Sequence, residues 1–295
     1  MTYNKAIIPD EAAVYREVIQ KDFPALPIRA IEVIGSGEGR VAILVNDEIV
    51  FRLPSGASAA AQEDIQNTKM EYQVLVRLGA VPFQIPRPIY MSPDERYFGY
   101  KVLEGKNSYD SLSGGSVPDM FLDQWVTARK SISQALSLTD ARALGVPMYS
   151  WDTELHRAKA LPAGVLSLYV QSRLKNDADY ITASNFESEL EFTHNDLNLD
   201  NLLVNESGEL IGVLDFGDAH IAPRSTDYYL WDKWPHEVME RVAKIAAGHH
   251  DEFDVRLARA VHRMYVGSDL YESIKQNDSL AINMYVTELE RCYGA

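Results

Sequence analysis

Cysteine is almost missing from this chain of 295 residues, and Cys292, close to the C-terminus, stands alone. A single thiol rules out an intrachain disulfide and a thiolate metal cluster, so a reducing compartment is the expected setting. Positive charge is scarce as well, with 28 Lys and Arg against 43 Asp and Glu and a formal net charge of −15. Nucleic-acid grooves and anionic membrane surfaces are bound through a positive field, so neither is an expected partner. A small cation would be drawn in by the same field, although excess acid also serves simply to keep a cytosolic protein in solution. No run of about 18 apolar residues occurs. The opening "MTYNKAIIPDEAAVYREVIQ" has neither the basic flank nor the unbroken apolar stretch of a secretion signal. The expectation is a soluble cytoplasmic protein, a monomer or weak dimer. No internal repeat is present, and no low-complexity tract beyond "ASAAA".

What remains is a globular composition, 46% hydrophobic, 24% charged and 10% aromatic, at a length that fits one large domain or two ordinary lobes. A short helix is predicted in "PDEAAVYREVIQKDF". The next segment, "IRAIEVIGSGEGRVAILVNDEIVFRLP", reads as three strands, Ile28 to Ile34, Val41 to Val45 and Ile49 to Leu53. A glycine-rich turn and an Asn46-Asp47 turn join them. Residues 59–78 lack Gly and Pro and space Ile65, Met70, Val74, Leu75 and Leu78 along one helix face. "IYMS" and "YFGYKVLEG" read as two further strands, so the first hundred residues predict a small sheet with one long helix laid on it. The Ser- and Gly-rich residues 104–119 read as a linker. Beyond it helices dominate, over 119–137, 152–160, 163–176, 235–248, 251–274 and 277–292.

One β island interrupts those helices: "FTHNDLNLDNLLVNESGELIGVLDFGDAH", residues 192–220. Asn201 precedes the apolar strand Leu202 to Val204, and Asp215 follows a second strand in "ELIGVLDFGD". A hairpin through "NESG" brings the start of one strand and the end of the other together, so Asn201 and Asp215 converge with Asp196 close by. An amide oxygen beside a carboxylate makes a hard oxygen site suited to Mg²⁺. Such a site fits phosphoryl transfer, in which Asp196 would accept the proton of an attacking hydroxyl while Asn201 and Asp215 hold the metal. Asn and Asp also cap turns, which is the reading for Asp200 and Asn205. For Asp196, Asn201 and Asp215 chemistry is favoured, because H-x-D-L-x-x-x-N and D-F-G occur in order, each with the strand it needs.

"HNDLNLDN" and "VLDFGD" resemble the catalytic loop and metal-binding turn of the aminoglycoside phosphotransferase family, small-molecule kinases built on the protein-kinase fold. Asn195 stands where protein kinases carry Arg, as is usual in small-molecule members. The resemblance runs from about residue 28 to about residue 270 and is sharpest between 192 and 232. It implies an α+β, bilobal, protein-kinase-like fold. An N-terminal nucleotide-binding lobe, residues 1–104, would hold an antiparallel sheet plus helix; a mainly helical C-terminal lobe, residues 105–295, would hold catalysis and the acceptor.

In "IGSGEGRV", Gly35, Ser36, Gly37 and Gly39 would bring backbone N–H groups to the nucleotide phosphates, with Val41 under the base. The spacing departs from G-x-G-x-x-G, and glycine-rich hairpins also occur as plain turns. Arg52 in "VFRLP" stands at the phosphate-binding lysine of kinases, and Glu71 would orient it through an ion pair, with Glu63 as an alternative partner. "FGYKVLEG" resembles the hinge, where backbone groups around Tyr100 and Val102 would read the purine edge. ATP and GTP both stay open as donors. His194 is implied as an anchor bonded to backbone near Asp215, and Asp227 as a brace of the catalytic segment.

The family's acceptors include aminoglycosides, macrolides, choline, homoserine and sugars. The stretch "DFGDAHIAPRSTDYYLWDKWPHEVMERV" would line the mouth of the site. Its acids Asp218, Asp232, Glu237 and Glu240 are candidates for pairing the ammonium groups of a polyamine sugar, although acids on helices are more commonly just solvated. The segment looks most like the 2″-phosphotransferase branch. The leading expectation is therefore Mg²⁺-dependent transfer of a nucleotide γ-phosphate to an aminoglycoside hydroxyl, an antibiotic-resistance activity. The alternatives are the same chemistry on a macrolide, choline or homoserine, and a non-catalytic kinase-like module that binds its ligand without turnover. Trp231 and Trp234 are expected to pack the interior, and His249 and His250 end a helix without need of a metal.

Overall fold

The structure, a computed structural model, describes residues 9–37, 40–54, 62–112, 117–184 and 186–294. Helix α1 (Pro9–Asp22) leads into β1 (Ile31–Gly37), β2 (Arg40–Val45) and β3 (Ile49–Pro54), then α2 (Gln62–Arg77), β4 (Pro88–Met91) and β5 (Phe98–Lys101). These strands form one antiparallel sheet in the order β1-β2-β3-β5-β4. The β2–β3 turn is tight because Asn46 and Asp47 accept φ of 55° and 58°, the left-handed pair that matches strand twist in two-residue hairpins.

Alternation then separates the two faces of the sheet. Val41, Ile43 and Val45 are buried with Phe51, Leu53 and Tyr97 against Ile19 of α1. Val50, Phe98 and Tyr100 join Met70, Val74 and Leu75 of α2 in the larger core. Side chains of this size contribute about 1.5–3 kcal/mol each when fully buried. Gly99 permits the close layer, since a Cβ there would lie 2.6 Å from the Phe51 ring.

The stretch that reads as a linker contains regular structure. It holds β6 (Lys106–Asn107) and α3 (Ser108–Leu112), and β6 pairs with β8 (Leu202–Val204). Its polar side chains look like loop chemistry but bond inward. Ser108 Oγ donates to the Leu199 carbonyl and Asn107 Nδ2 to that of Asp200, both at 2.7 Å.

The remainder is rich in helices: α4 (Asp119–Ala135), α5 (Leu138–Ala143), α6 (Asp152–Lys159), α7 (Leu168–Ala183), α8 (His236–Gly248), α9 (Val255–Gln276) and α10 (Ser279–Tyr293). Ser137, Ser167, Asp254 and Asp278 accept backbone N–H groups as the N-caps of α5, α7, α9 and α10. Helix α7 starts later than its pattern predicts because Ser167 caps it. It also runs past Asn176-Asp177, which resembles a helix end, because Asp177 is turned inward to Arg263 and the Tyr293 hydroxyl.

Between α7 and α8 lies the β island. β7 (Leu190–Thr193) pairs with β10 (His220–Pro223), and β8 pairs with β9 (Leu210–Val213). A 3-10 segment, Arg224–Lys233, follows. Its Trp231 is fully buried, 5.2 Å from the Trp125 ring of α4, which realises the packing role expected of it. Among the described residues no helix is long and apolar enough to cross a membrane.

Candidate active site

Leu202 lies opposite Val213 in the β8–β9 hairpin, and the Leu214 N–H donates to the Asn201 carbonyl at 2.8 Å. Asn201 and Asp215 therefore leave the hairpin at one end. The chain bends sharply at Asn195 (φ 65°) and at Asp215 (φ 59°), a region that Asn and Asp tolerate better than most L residues. Such a conformation costs about 1–3 kcal/mol and persists only where neighbours enforce it. Here the Asn195 N–H donates to Asp227 Oδ1 at 2.7 Å. The His194 ring is fully buried on Phe216 and donates from Nε2 to the Leu214 carbonyl at 2.9 Å. Its Nδ1 accepts the Asp196 N–H at 3.3 Å, so the proton resides on Nε2, and burial lowers the ring's pKa toward that neutral form.

Asp196 is gripped by two amides. Asn201 Nδ2 donates to its Oδ2 at 2.8 Å and to its backbone carbonyl at 2.9 Å, while Asn198 Nδ2 donates to Oδ1. Asp215 belongs to a chain of ions instead. Its Oδ1 lies 2.8 Å from Arg52 Nη1, which is 2.5 Å from Glu71 Oε1; the other Glu71 oxygen is 2.9 Å from Arg40 Nη1. Gly217 lets this turn fold back, since its N–H reaches Asp215 Oδ1 at 3.3 Å and a Cβ would lie 3.2 Å from that oxygen.

Two expectations for the sheet need correction. Val41 pairs with Leu53 and Ala42 with Arg52, so Ala42 shares the face of Arg52 while Val41 is buried on the α1 side. One residue of offset changes the face. Val102 is exposed, but its N–H donates to the Glu48 carbonyl at 2.9 Å and is not open to a purine edge. Tyr100 is buried beside Arg52, and burial pushes its hydroxyl up to about 12. Gly35 sits at a register shift opposite Ala42. Gly39 and the side chains of Ser36 and Glu63 lie outside the described residues.

The electrostatics show three acids within reach of one another. Burial and then the Asp215 charge lift the Asp196 carboxyl above its usual range, and burial, Asp196 and Asp215 do the same to Asp218. Burial opposes ionisation of Asp215, yet Arg52 holds it below the usual carboxylate range. Among the described residues no hydrogen bond uses Asn201 Oδ1 or Asp215 Oδ2. Two hard oxygens amid mutually repelling acids fit a divalent cation.

Residues 30–265 match the phosphotransferase enzyme family, APH. The chain belongs to that family. Solved structures share its fold, among them the GDP and kanamycin complex of APH(2″)-IIIa, with a TM-score of 0.76 and 24% identity over 95% of this chain and 98% of that one. The gentamicin complex of APH(2″)-IIa gives 0.67 and 17% identity over 96% and 97%. Macrolide 2′-phosphotransferase MphH from Brachybacterium faecium, as apoenzyme, gives 0.69 and 15% identity over 95% and 98%. The likeness establishes the kinase-like α+β fold, and membership makes the chain a phosphotransferase of the small-molecule-kinase kind.

The phosphotransferase places its candidate acceptor acids unequally. Asp218 keeps access to solvent while its carboxyl lies beside Asp196 and Asp215. Asp232 is 8% exposed and enclosed by basic side chains, with His262 Nδ1 at 3.2 Å, Arg263 Nε at 3.3 Å and Arg259 Nε at 3.5 Å. Its carboxylate is thus a buried counter-ion, which corrects the expectation that it meets substrate. Glu237 is exposed on α8, and Glu240 pairs with Arg259 at 3.1 Å.

No local pattern announces a cavity of about 870 Å³ whose walls include Tyr229, Lys233, Tyr265, Asp269, Met284 and Glu288. Lys233 Nζ approaches Asn198 Oδ1 at 3.5 Å, one residue's reach from Asp196. Tyrosines and a lysine at helical spacing read as packing and solvent, and only the approach of α10 turns them into a groove.

Proposed function

We propose that the chain transfers the γ-phosphoryl group of ATP or GTP, with Mg²⁺, to a hydroxyl of an aminoglycoside. The observation that carries this reading is the clamp on Asp196, whose carboxylate is oriented by Asn198 and Asn201. Asp196 accepts the hydroxyl proton as that oxygen bonds to the γ-phosphorus and the bond from that phosphorus to the β,γ-bridging oxygen breaks, releasing ADP or GDP, and its raised pKa strengthens it as a base. Asn201 and Asp215 would hold the Mg²⁺, which would supply charge neutralisation to the phosphate oxygens. Arg52 uses Nη1 for Glu71 and Asp215, leaving its other N–H groups for the donor's phosphates. The backbone N–H groups of Gly35, Ser36 and Gly37, at the end of β1, serve the same phosphates. His194 and Asp227 position the loop. The division falls near residue 104, with the donor held by residues 1–104 and the acceptor by residues 105–295.

The acceptor occupies the groove between the Arg224–Lys233 segment, α9 and α10, where Asp269 and Glu288 on the wall bring negative charge to ammonium groups and tyrosines offer faces to sugar rings, while Asp218 adds its charge beside Asp196. A second reading, a macrolide acceptor, is favoured by the apolar wall of Val266, Leu280 and Met284. The test is a nucleotide-consumption assay with ATP and GTP separately, against kanamycin, gentamicin, a macrolide, choline and homoserine, with products weighed by mass spectrometry. Singly phosphorylated kanamycin or gentamicin is expected. Turnover of the macrolide alone would move the acceptor to the second reading, and no turnover with any of them would overturn the proposal.

A further inference from the structure

A second cavity, of about 850 Å³, lies between α7, α9 and the end of α10, away from the groove just described. Helical spacing places Arg256, Arg259 and Arg263 on one face of α9, and Arg173 of α7 joins them at the cavity wall. Four arginines gather there against two aspartates, Asp177 and Asp179, in a chain whose net charge is −15.

Their partners divide them. Arg263 is paired with Asp177 at 3.1 Å, and Arg259 with Glu240, while both lean on Asp232 from behind. The Nε atoms of both are enclosed without a hydrogen bond of good geometry. Arg173 and Arg256 have no carboxylate within ion-pair distance among the described residues. They rest on aromatic faces, Arg256 over Tyr180 at 3.9 Å and Arg173 over Tyr169 at 5.5 Å, and Arg263 likewise covers Tyr293 at 4.6 Å.

A guanidinium stacked on a ring is fixed in plane while its edge keeps several N–H donors for a planar or tetrahedral oxyanion. Three such stacks around one opening form a pre-oriented set of donors, and an acidic protein offers those two arginines no internal acid. Asp232, His262 and Cys292 nearby have ligand atoms within 4.8 Å of one another, a grouping that could hold a metal ion. Arg259, Arg263 and Arg291 all contact Asp232, however, and their charge opposes a cation there.

We infer that this cavity binds a small multivalent oxyanion of the pyrophosphate class, at a site separate from that of the nucleotide. The inference goes beyond the proposed transfer reaction and does not depend on it.

Isothermal titration of the full chain with sodium pyrophosphate, in EDTA to keep divalent metal away from the nucleotide site, tests it. One saturable site is expected in the wild type. Arg173→Ala/Arg256→Ala should weaken it by ~10-fold or more, equivalent to losing two charge-assisted contacts. Neither side chain has an acid partner, so an unchanged melting temperature should accompany the loss. Arg256→Lys, which keeps the charge but not the planar stack, should weaken binding by several-fold, whereas Arg52→Ala should leave it intact. No saturation up to about 10 mM, wild-type affinity in the double variant or in Arg256→Lys, or abolition by Arg52→Ala would each overturn the assignment.

Discussion

Two clusters of charge meet at the His194–Asn195 turn, built from the same residue types and arranged in opposite ways. Around Arg129, which is fully buried, Asp251 lies at 2.9 Å, Glu191 makes a shorter contact and Asp227 stands at 4.0 Å. Arg224 reaches Glu191 at 3.3 Å and Asp251 at 3.4 Å, and the Tyr228 hydroxyl donates to Asp251 at 2.6 Å. Acids and guanidiniums there close on one another and tie α4, β7 and the Arg224–Lys233 segment together. Around Asp196, Asp215 and Asp218, by contrast, the one guanidinium in contact among the described residues, that of Arg52, is shared with Glu71. The Asp196 and Asp218 carboxyls are lifted while Arg52 holds Asp215 low, and oxygens stay open. Imbalance and access separate a cluster that awaits a ligand from one that ties elements together.

Asp196→Asn should show the largest effect on chemistry. The substitution keeps shape and removes the base, so turnover should fall by ~10²–10⁴ while nucleotide affinity and melting temperature stay near wild type. Single-turnover phosphate transfer and nucleotide titration on one preparation would check it, and undiminished transfer would refute the role of Asp196. Arg129→Met is its opposite. Removing the buried partner leaves Asp251 and Glu191 with the half-exposed Arg224 alone and should cost about 3 kcal/mol in denaturant unfolding. Were Arg129→Met stable but inactive, the two clusters would not differ as described.

Asp227 belongs to both clusters and sharpens the comparison through pH. Burial raises its pKa to about 7, although Arg129 opposes the shift, and its Oδ2 has no hydrogen-bond partner. A carboxyl whose folded pKa exceeds its unfolded value of 3.8 binds the proton better in the folded state. Its contribution to stability is therefore greatest near pH 4 and is lost as pH rises toward 7, with a slope on the order of 1 kcal/mol per pH unit. In Asp227→Asn that slope should vanish, so the variant gains on the wild type between pH 5 and pH 8. Parallel pH-dependent unfolding curves would show instead that Arg129 keeps Asp227 ionised.

Strand and helix patterns were legible in the sequence because periodicity survives in a linear text. So was the convergence of Asn201 and Asp215, which follows from a hairpin of known turn. Val41 failed by one residue, since the register of β2 on β3 is set by the Asn46-Asp47 turn and not by the glycines. The polar run at Asn107 and Ser108 read as a linker because a side chain that bonds a distant carbonyl looks like one that meets water. Asp232 read as a substrate acid for the same reason, its partners Arg259, His262 and Arg263 lying 27 to 31 residues away on α9. The groove of Tyr229, Lys233 and Glu288 exists only where two helices meet, and no local pattern encodes it.

The smallest effect should come from Glu240→Gln, and it decides whether open acids or merely surface acids recruit the acceptor. Glu240 is 58% exposed and paired with Arg259, which lines the arginine cavity and not the groove. Exposed pairs of this kind contribute about 0.2–1 kcal/mol, so the acceptor KM should move by less than about twofold. Asp218→Asn removes a carboxylate beside Asp196 and should raise the KM of a cationic acceptor several-fold with kcat less affected, because that charge binds the acceptor before and during transfer alike. Both variants measured against one aminoglycoside separate the two positions. A tenfold rise in KM for Glu240→Gln with none for Asp218→Asn would put the acceptor on the acidic face of α8, leaving the groove between α9 and α10 without its assigned part.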